Sequence, residues 1–254
     1  MAYQMAGGSQ PQTFSRNERI LFVVDSDAAN LYYMGMLLQR LDYSIFTTKM
    51  AEEALEIMRF AVPALVLTEI SLPKMGGIEF LRQIKQNPKT TSVPVIVYSS
   101  SADPSLKDIC KREGCTAYLS KPVDPDELYA AVQKGTEAAP RQYLRLNTCL
   151  SVVLGDEDVL RSNCVMALSE NGIYVSTSTL WPVEAELPIT IFLDTAKVRI
   201  QGTVLYSFDR GNGPLGTSGM GIKFMRIKPE DKNLINAFIK KELTHGLVRS
   251  ENGK

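Results

Sequence analysis

"ALVLTEISLPKMGG", residues 64–77, decides how the first half of this chain is read. It opens as an apolar run of strand length and closes in a loop with one proline and two glycines. A single carboxylate, Glu69, stands where run and loop meet. A run that is apolar throughout, rather than alternating, implies burial on both faces, as in a parallel sheet covered by helices. In such sheets functional groups gather beyond the carboxyl ends of the strands. Position alone therefore marks Glu69 as a candidate site residue.

The segments on either side repeat the pattern. "ILFVVD" (20–25) is a second apolar run, and the helical spacing after it puts Leu31, Met34, Leu37, Leu38 and Leu41 on one face. "YSIFTTK" reads as a strand, and "AEEALEIMRFAV" as a helix facing inward through Ala54, Leu55, Met58 and Ala61. After residue 77 come helix, strand "VPVIVYSS", helix, strand "AYLSK" and helix "DPDELYAAVQKG". Five β/α units in succession predict a doubly wound, five-stranded parallel α/β sheet of flavodoxin-like type. Its strand ends would bring together Asp25, Ser26, Asp27, Glu69, Ser99 and Lys121, with Pro122 following the lysine.

Past "KGTEAAPRQY" the rhythm changes. "LSVVL", "VLRSNCVMAL", "GIYVSTSTL", "ELPITIFLD", "KVRIQGTVLYSF" and "GMGIKFMRI" are strand-like, β-branched and separated by Gly, Asn, Asp and Pro. "ENG" between the second and third is a tight-turn signal. Six such strands predict a small closed antiparallel barrel. "KPEDKNLINAFIKKEL" then reads as an amphipathic helix with Leu234, Ile235, Phe238, Ile239 and Leu243 inward. The resulting division is a flexible leader over 1–17, a first domain over 18–135, a linker over 136–141, a barrel domain over 142–245 and a disordered tail over 246–254.

Composition narrows the function. Lys plus Arg equals Asp plus Glu at 28 each, so no global field favours nucleic acid or an acidic membrane. No apolar run approaches the roughly 20 residues that span a bilayer, and the first residues lack an apolar signal core. A cytoplasmic protein without membrane insertion is expected. Cys110, Cys115, Cys149 and Cys164 lack metal-type spacing, and His245 is the sole histidine, so they read as reduced thiols and not as a zinc site. Ser99 and Ser100 have no histidine partner, which removes a hydrolase triad. Trp181 reads as packing at the barrel rim. No enzyme is expected.

The first constellation resembles the receiver domain of bacterial two-component response regulators, over about residues 18–135. The resemblance implies a Mg²⁺ site at Asp25 and its neighbour, a phosphoryl acceptor at Glu69, contacts from Ser99 and Lys121, and a reorienting aromatic at Tyr118. Two residues depart from the pattern. Ser26 stands where a second acid is expected, and Mg²⁺ favours carboxylates. Glu69 replaces Asp and is one methylene longer, while Asp27 comes one residue late. Phosphoryl transfer rests on positioning and charge, so the resemblance implies a pseudo-receiver that neither holds Mg²⁺ nor takes up phosphate. Glu69 is then either a fixed imitation of the charged state or the remnant of a decayed site.

The second constellation is "RQYLR", Arg141-x-x-x-Arg145, followed by "ALSENG" with Ser169 and Gly172, and later by "GMGIKF". Together they resemble the PilZ domain, the bacterial receptor module for cyclic di-GMP, over about residues 140–245. The implied ligand residues are Arg141, Arg145, Ser169, Gly172 and Ala167, the last where the family pattern has Asp or Asn. Arginine pairs bidentately with phosphate, stacks on rings and matches the guanine edge. Gly172 suits a turn that needs a positive φ. The whole chain then reads as a two-component or phosphorelay-type signalling protein that senses cyclic di-GMP and relays its state to a protein partner in a signalling or motility pathway, with oligomeric state open and a homodimer included. The alternatives are an adaptor that binds no nucleotide and a live phosphorylation-regulated response regulator.

Overall fold

A computed structural model describes residues 19–101, 103–141, 143–155, 163–194, 196–209 and 216–247. The leader and most of the tail anticipated above lie outside these residues. The first domain alternates β1 (Ile20–Val24), α1 (Ala28–Gln39), β2 (Ser44–Thr48), α2 (Ala51–Met58), β3 (Leu65–Thr68), α3 (Gly77–Gln86), β4 (Val95–Ser99), α4 (Pro104–Arg112), β5 (Ala117–Ser120) and α5 (Pro125–Thr136). All strand pairs are parallel, in the order β2-β1-β3-β4-β5. The order reverses between β1 and β3, which opens a crevice at their carboxyl ends. β1 delivers Asp25 to this crevice and β3 delivers Glu69.

The predicted face of α1 is buried in full, from Leu31 to Leu41. The helix starts where it does because the Asp27 side chain accepts the Ala29 and Asn30 amides at 2.7 and 3.3 Å, a standard N-cap. α2 is shorter than its periodicity implies. It stops at Met58, which leaves Ala61 outside the helix and exposed. The Pro63 that follows "RFAV" disfavours helical backbone at the residue before it.

The second domain is a closed antiparallel barrel of β6 (Leu146–Leu154), β7 (Cys164–Ser169), β8 (Gly172–Ser176), β9 (Glu186–Phe192), β10 (Lys197–Phe208) and β11 (Gly219–Met225), in the order β10-β11-β8-β7-β6-β9. Alternation fills it, with Leu187, Ile189 and Ile191 inward from β9 and Val198, Ile200 and Val204 inward from β10. Trp181 packs partly buried against this core. The register of β10 against β11 then shifts between Val204 and Tyr206. Leu205 is the inserted residue, and Tyr206, which unbroken alternation would point into the barrel, is exposed on the outside.

α6 (Pro229–Thr244) closes the domain with Ile235, Phe238, Ile239 and Leu243 buried. Leu234, anticipated as inward, is 42% exposed, because Ile235 and Phe238 already centre the buried stripe. Leu247, assigned above to the tail, packs against the core. Cys149 and Cys164, anticipated as separate reduced thiols, are joined across β6 and β7. Sequence spacing could not show this, since it is the barrel that brings the two strands together.

The domains dock through α1 and α5 on one side and α6 and the loop before β6 on the other. Arg40 donates to the carbonyls of Glu242, Leu243 and His245 at 3.1, 2.6 and 2.8 Å. It thereby caps the open end of α6, whose last carbonyls have no partner in the helix. Lys240 reaches back to Asp126 and Asp124 at 2.7 and 3.4 Å. Buried Gln133 donates to the Tyr43 hydroxyl at 2.8 Å and accepts the Arg141 amide at 3.2 Å. The loop before β6 is thus fastened to the first domain at its first arginine.

Candidate functional site

The crevice of the first domain is built around Lys121, which follows β5 and precedes a cis peptide to Pro122. Its ammonium lies 2.7 Å from Asp25 Oδ2 and 2.5 Å from Glu69 Oε2, and 4.6 Å from the centre of the Tyr98 ring. Asp25 is 1% exposed and Glu69 6%. The other oxygen of Glu69, Oε1, accepts the Ile70 and Ser71 amides at 2.6 and 3.3 Å. The longer side chain of Glu69 therefore folds back over its own loop while still meeting the lysine. Burial, and then the charge of Asp25, push the Tyr98 phenol well above its ordinary range.

The remaining predicted residues divide. Ser99 is buried, and its hydroxyl accepts the Ser101 amide at 3.3 Å. The Tyr118 hydroxyl is buried, and burial raises its pKa. Ser26 is exposed, its hydroxyl 3.4 Å from the Ser71 carbonyl. Asp27 is exposed as well, and its carboxylate is occupied with capping α1. This donor set does not fit Mg²⁺. One carboxylate, Asp25, faces the crevice from the first strand, and its oxygens are engaged by Lys121 and the Asp27 amide. Mg²⁺ needs near-octahedral oxygen ligands, and an ammonium stands against two of the oxygens that would supply them. Among the described residues no group of three His, Cys, Asp or Glu is placed to hold a metal.

The barrel carries the second site. A cavity of ≈ 460 Å³ is lined by Arg141, Arg145, Ala167, Ser169 and Gly172, so all five residues named from the sequence reach one surface. That volume is ordinary for a small-molecule site. Arg141 and Arg145 come from the loop before β6 and are exposed. Ala167 and Ser169 come from the end of β7, and Gly172 opens β8. The Ser169 hydroxyl donates to the Gly172 carbonyl at 3.0 Å and so closes the Glu170–Asn171 turn. Its lone pairs remain as the acceptor it can offer.

Gly172 is needed for a reason other than the one anticipated. Its φ is not positive. A Cβ there would meet the Ile222 carbonyl oxygen at 2.5 Å, so β8 and β11 could not approach as they do. Among the lining residues that sequence reasoning missed are Tyr143, Tyr206 and Lys223. Lys223 adds a third cation. Tyr206, 38% exposed, lies over Gly221, where a Cβ would come 2.2 Å from its ring. "GMGIKF" held the signal for Gly221 and Lys223. Tyr206 was hidden because the bulge at Leu205 reverses its expected side.

Comparison with known proteins follows this division. The family model of the response regulator receiver domain matches residues 21–133, and that of the PilZ domain matches residues 139–241. Response regulator Rre1 of Synechocystis sp. is 30% identical over 114 residues, covering 45% of this chain and 49% of that protein, about half its length. Protein PilH of Pseudomonas aeruginosa is 25% identical over 112 residues, covering 44% of this chain and 93% of its own. The crystal structure of the signal receiver domain of an HD domain-containing protein from Pseudomonas fluorescens matches with 30% identity and a TM-score of 0.44, over 47% of this chain and 94% of that one. The two family matches succeed one another along the chain as the two constellations do: it carries a response regulator receiver domain followed by a PilZ domain.

Proposed function

We propose that this is a non-enzymatic signalling protein whose barrel binds cyclic di-GMP and whose receiver fold works without phosphorylation, passing the ligand state to a protein partner in a bacterial signalling or motility pathway. The observation that carries the reading is the single cavity shared by Arg141, Arg145, Ser169 and Gly172, which lie in two separate segments of chain. Three cations face an anion with two phosphates, and exposed Tyr206 and Tyr143 offer ring faces to purine bases. In the receiver, Lys121 is already neutralised by Asp25 and Glu69, so the charge that phosphate would bring is replaced by a built-in carboxylate.

Calorimetric titration of the full chain with cyclic di-GMP tests the proposal. Binding is expected to be lost to a large degree in Arg145→Ala and to weaken with salt, as exposed charge pairs do. The adaptor reading rests on one observation, that Ala167 presents a methyl group where the family pattern has a polar side chain. Absence of heat with both wild type and Ala167→Asn would establish that reading instead.

A further inference from the structure

We infer that Cys149 and Cys164 form a reversible thiol–disulfide site that locks the register of β6 against β7; the arginine loop of the cavity runs directly into β6, and β7 carries Ala167 and Ser169. The consequence for ligand affinity rests on the cyclic di-GMP reading; the lock itself does not.

The two cysteines have Cα atoms 5.5 Å apart, inside the range that a disulfide accepts without backbone movement. Cys149 is exposed and Cys164 half-buried. Neither belongs to the barrel core, which is filled by Val152, Val165, Ile189, Ile191 and their neighbours. The bond is therefore not what makes the barrel fold, and it is open to attack by a thiol in solution. Exposed disulfides are the labile ones.

Its place in the ladder gives it a task. β6 and β7 pair as Leu146↔Leu168 and Asn147↔Ala167, then as Leu150↔Val165 and Ser151↔Cys164. Between these two stretches β6 advances three residues while β7 advances two, so β6 holds one extra residue there, and Cys149 lies in that irregular stretch. On the cavity side of the bulge, Arg145 immediately precedes β6, while Ala167 and Ser169 end β7. A bulge interrupts the ladder that would otherwise fix how these groups are spaced. A covalent link from the bulge to the start of β7 restores the constraint, and its loss lets the bulge shift.

The other two thiols are poorly suited to compete. Cys110 is fully buried, and burial, with the nearby Cys115 sulfur, pushes it up to about 11. Cys115 is also raised, by burial. The thiolate is the reactive form, so exchange is directed to the barrel pair. The exchange balances with a small-molecule disulfide such as oxidised glutathione. The Cys149 thiolate attacks one glutathione sulfur, the glutathione S–S bond breaks, and one glutathione thiolate leaves. The Cys164 thiolate then attacks the Cys149 sulfur of the mixed disulfide and expels the second glutathione. Two protein thiols are oxidised, one glutathione disulfide is reduced, and the two cysteine protons end on the two released thiols. Excess reduced glutathione reverses both steps.

The test uses the full chain equilibrated at a series of oxidised-to-reduced glutathione ratios, then alkylated and mapped by peptide mass. A Cys149–Cys164 peptide is expected that appears and disappears with the ratio, with no such peptide in Cys149→Ser. Amide hydrogen exchange over residues 147–151 is expected to slow by about tenfold on oxidation. The inference is overturned if no ratio of the two glutathiones interconverts the forms, or if exchange in this stretch is equal in both. Titration with cyclic di-GMP then reads the consequence. The oxidised form is expected to bind about threefold or more tightly, since it is preorganised. Equal affinity would overturn the regulatory consequence. An exchange difference with binding by neither form would uphold the lock and overturn the nucleotide reading.

Discussion

The ammonium of Lys121 stands 2.5 Å from Oε2 of Glu69, both groups largely withdrawn from water. The same nitrogen holds Asp25. The receiver crevice therefore contains its own counter-ion, fixed between the two carboxylates that elsewhere in such a site would face metal and phosphate. Incubation with acetyl phosphate and Mg²⁺ is expected to leave the intact mass unchanged. Glu69→Asp alone should not restore uptake, because Ser26 supplies no carboxylate and Asp27 is held at the cap of α1. A mass gain of one phosphate in wild type, abolished by Glu69→Gln, would show the crevice to be chemically live.

Removing Lys121 should be costly. Lys121→Met leaves Asp25 and Glu69 buried side by side with no cation, and breaking a buried ion pair from one side costs about 3–5 kcal/mol. Urea denaturation of the single variant should show a loss of that order, and Glu69→Gln added to it should recover part. A loss under about 1 kcal/mol, the size of an exposed pair, would mean that the three groups are not coupled as their distances imply.

Much of this was legible in the sequence. The parallel sheet could be read from uninterrupted apolar runs such as that ending at Glu69, and the barrel from short β-branched segments between turn residues. Arg141, Arg145, Ser169 and Gly172 were named through the resemblance of "RQYLR" and "ALSENG" to the PilZ pattern, and the fold brings them to one cavity. What escaped depends on contacts between distant segments. The outward turn of Tyr206 follows from one inserted residue that only pairing with β11 reveals. Cys149 meets Cys164 only once β6 lies on β7. Asp27 looked like part of an acid cluster, and only the start of α1 shows its carboxylate already in use.

The contact between domains should respond to acid and not to pH near neutrality. Burial works to raise the Asp124 carboxyl, but the Asp126 and Glu127 amides and Lys240 outweigh it and hold it below its ordinary 3.8. Lys240 is raised, chiefly by its hydrogen bond to Asp126. A depressed carboxyl contributes stability that is present above its unfolded value and is lost as pH falls through the folded one. A raised ammonium contributes stability that is present below its unfolded value and is lost only as pH rises through its folded one. The docked state should thus hold across the neutral range and loosen in acid, below about pH 4. Urea denaturation should show a loss of stability there of about 0–1 kcal/mol, the size of an exposed ion pair. Lys240→Gln should loosen the contact at neutral pH and flatten the acid response; an unchanged acid response in that variant would place its origin elsewhere.

The aromatic face of Tyr206 offers the sharpest test of the barrel cavity. Gly221 lets the ring lie against β11, since a Cβ at that position would stand 2.2 Å from the ring. If a base of the ligand stacks there, Tyr206→Ala should lose about 1–3 kcal/mol, roughly 5- to 150-fold in affinity. Tyr206→Phe should retain most of it, because stacking uses the ring and not the hydroxyl. Gly221→Ala should weaken binding by a similar factor although the ring itself is retained, because the new methyl group must lift it off the strand. Titrating the three variants separates a stacking surface from general damage to the barrel. Loss in Tyr206→Ala and Gly221→Ala, with near-normal binding in Tyr206→Phe and unchanged far-UV circular dichroism in all, is the outcome expected. Unaltered affinity in Tyr206→Ala would remove the ring from the site and leave the arginine loop and Lys223 to hold the ligand through its phosphates.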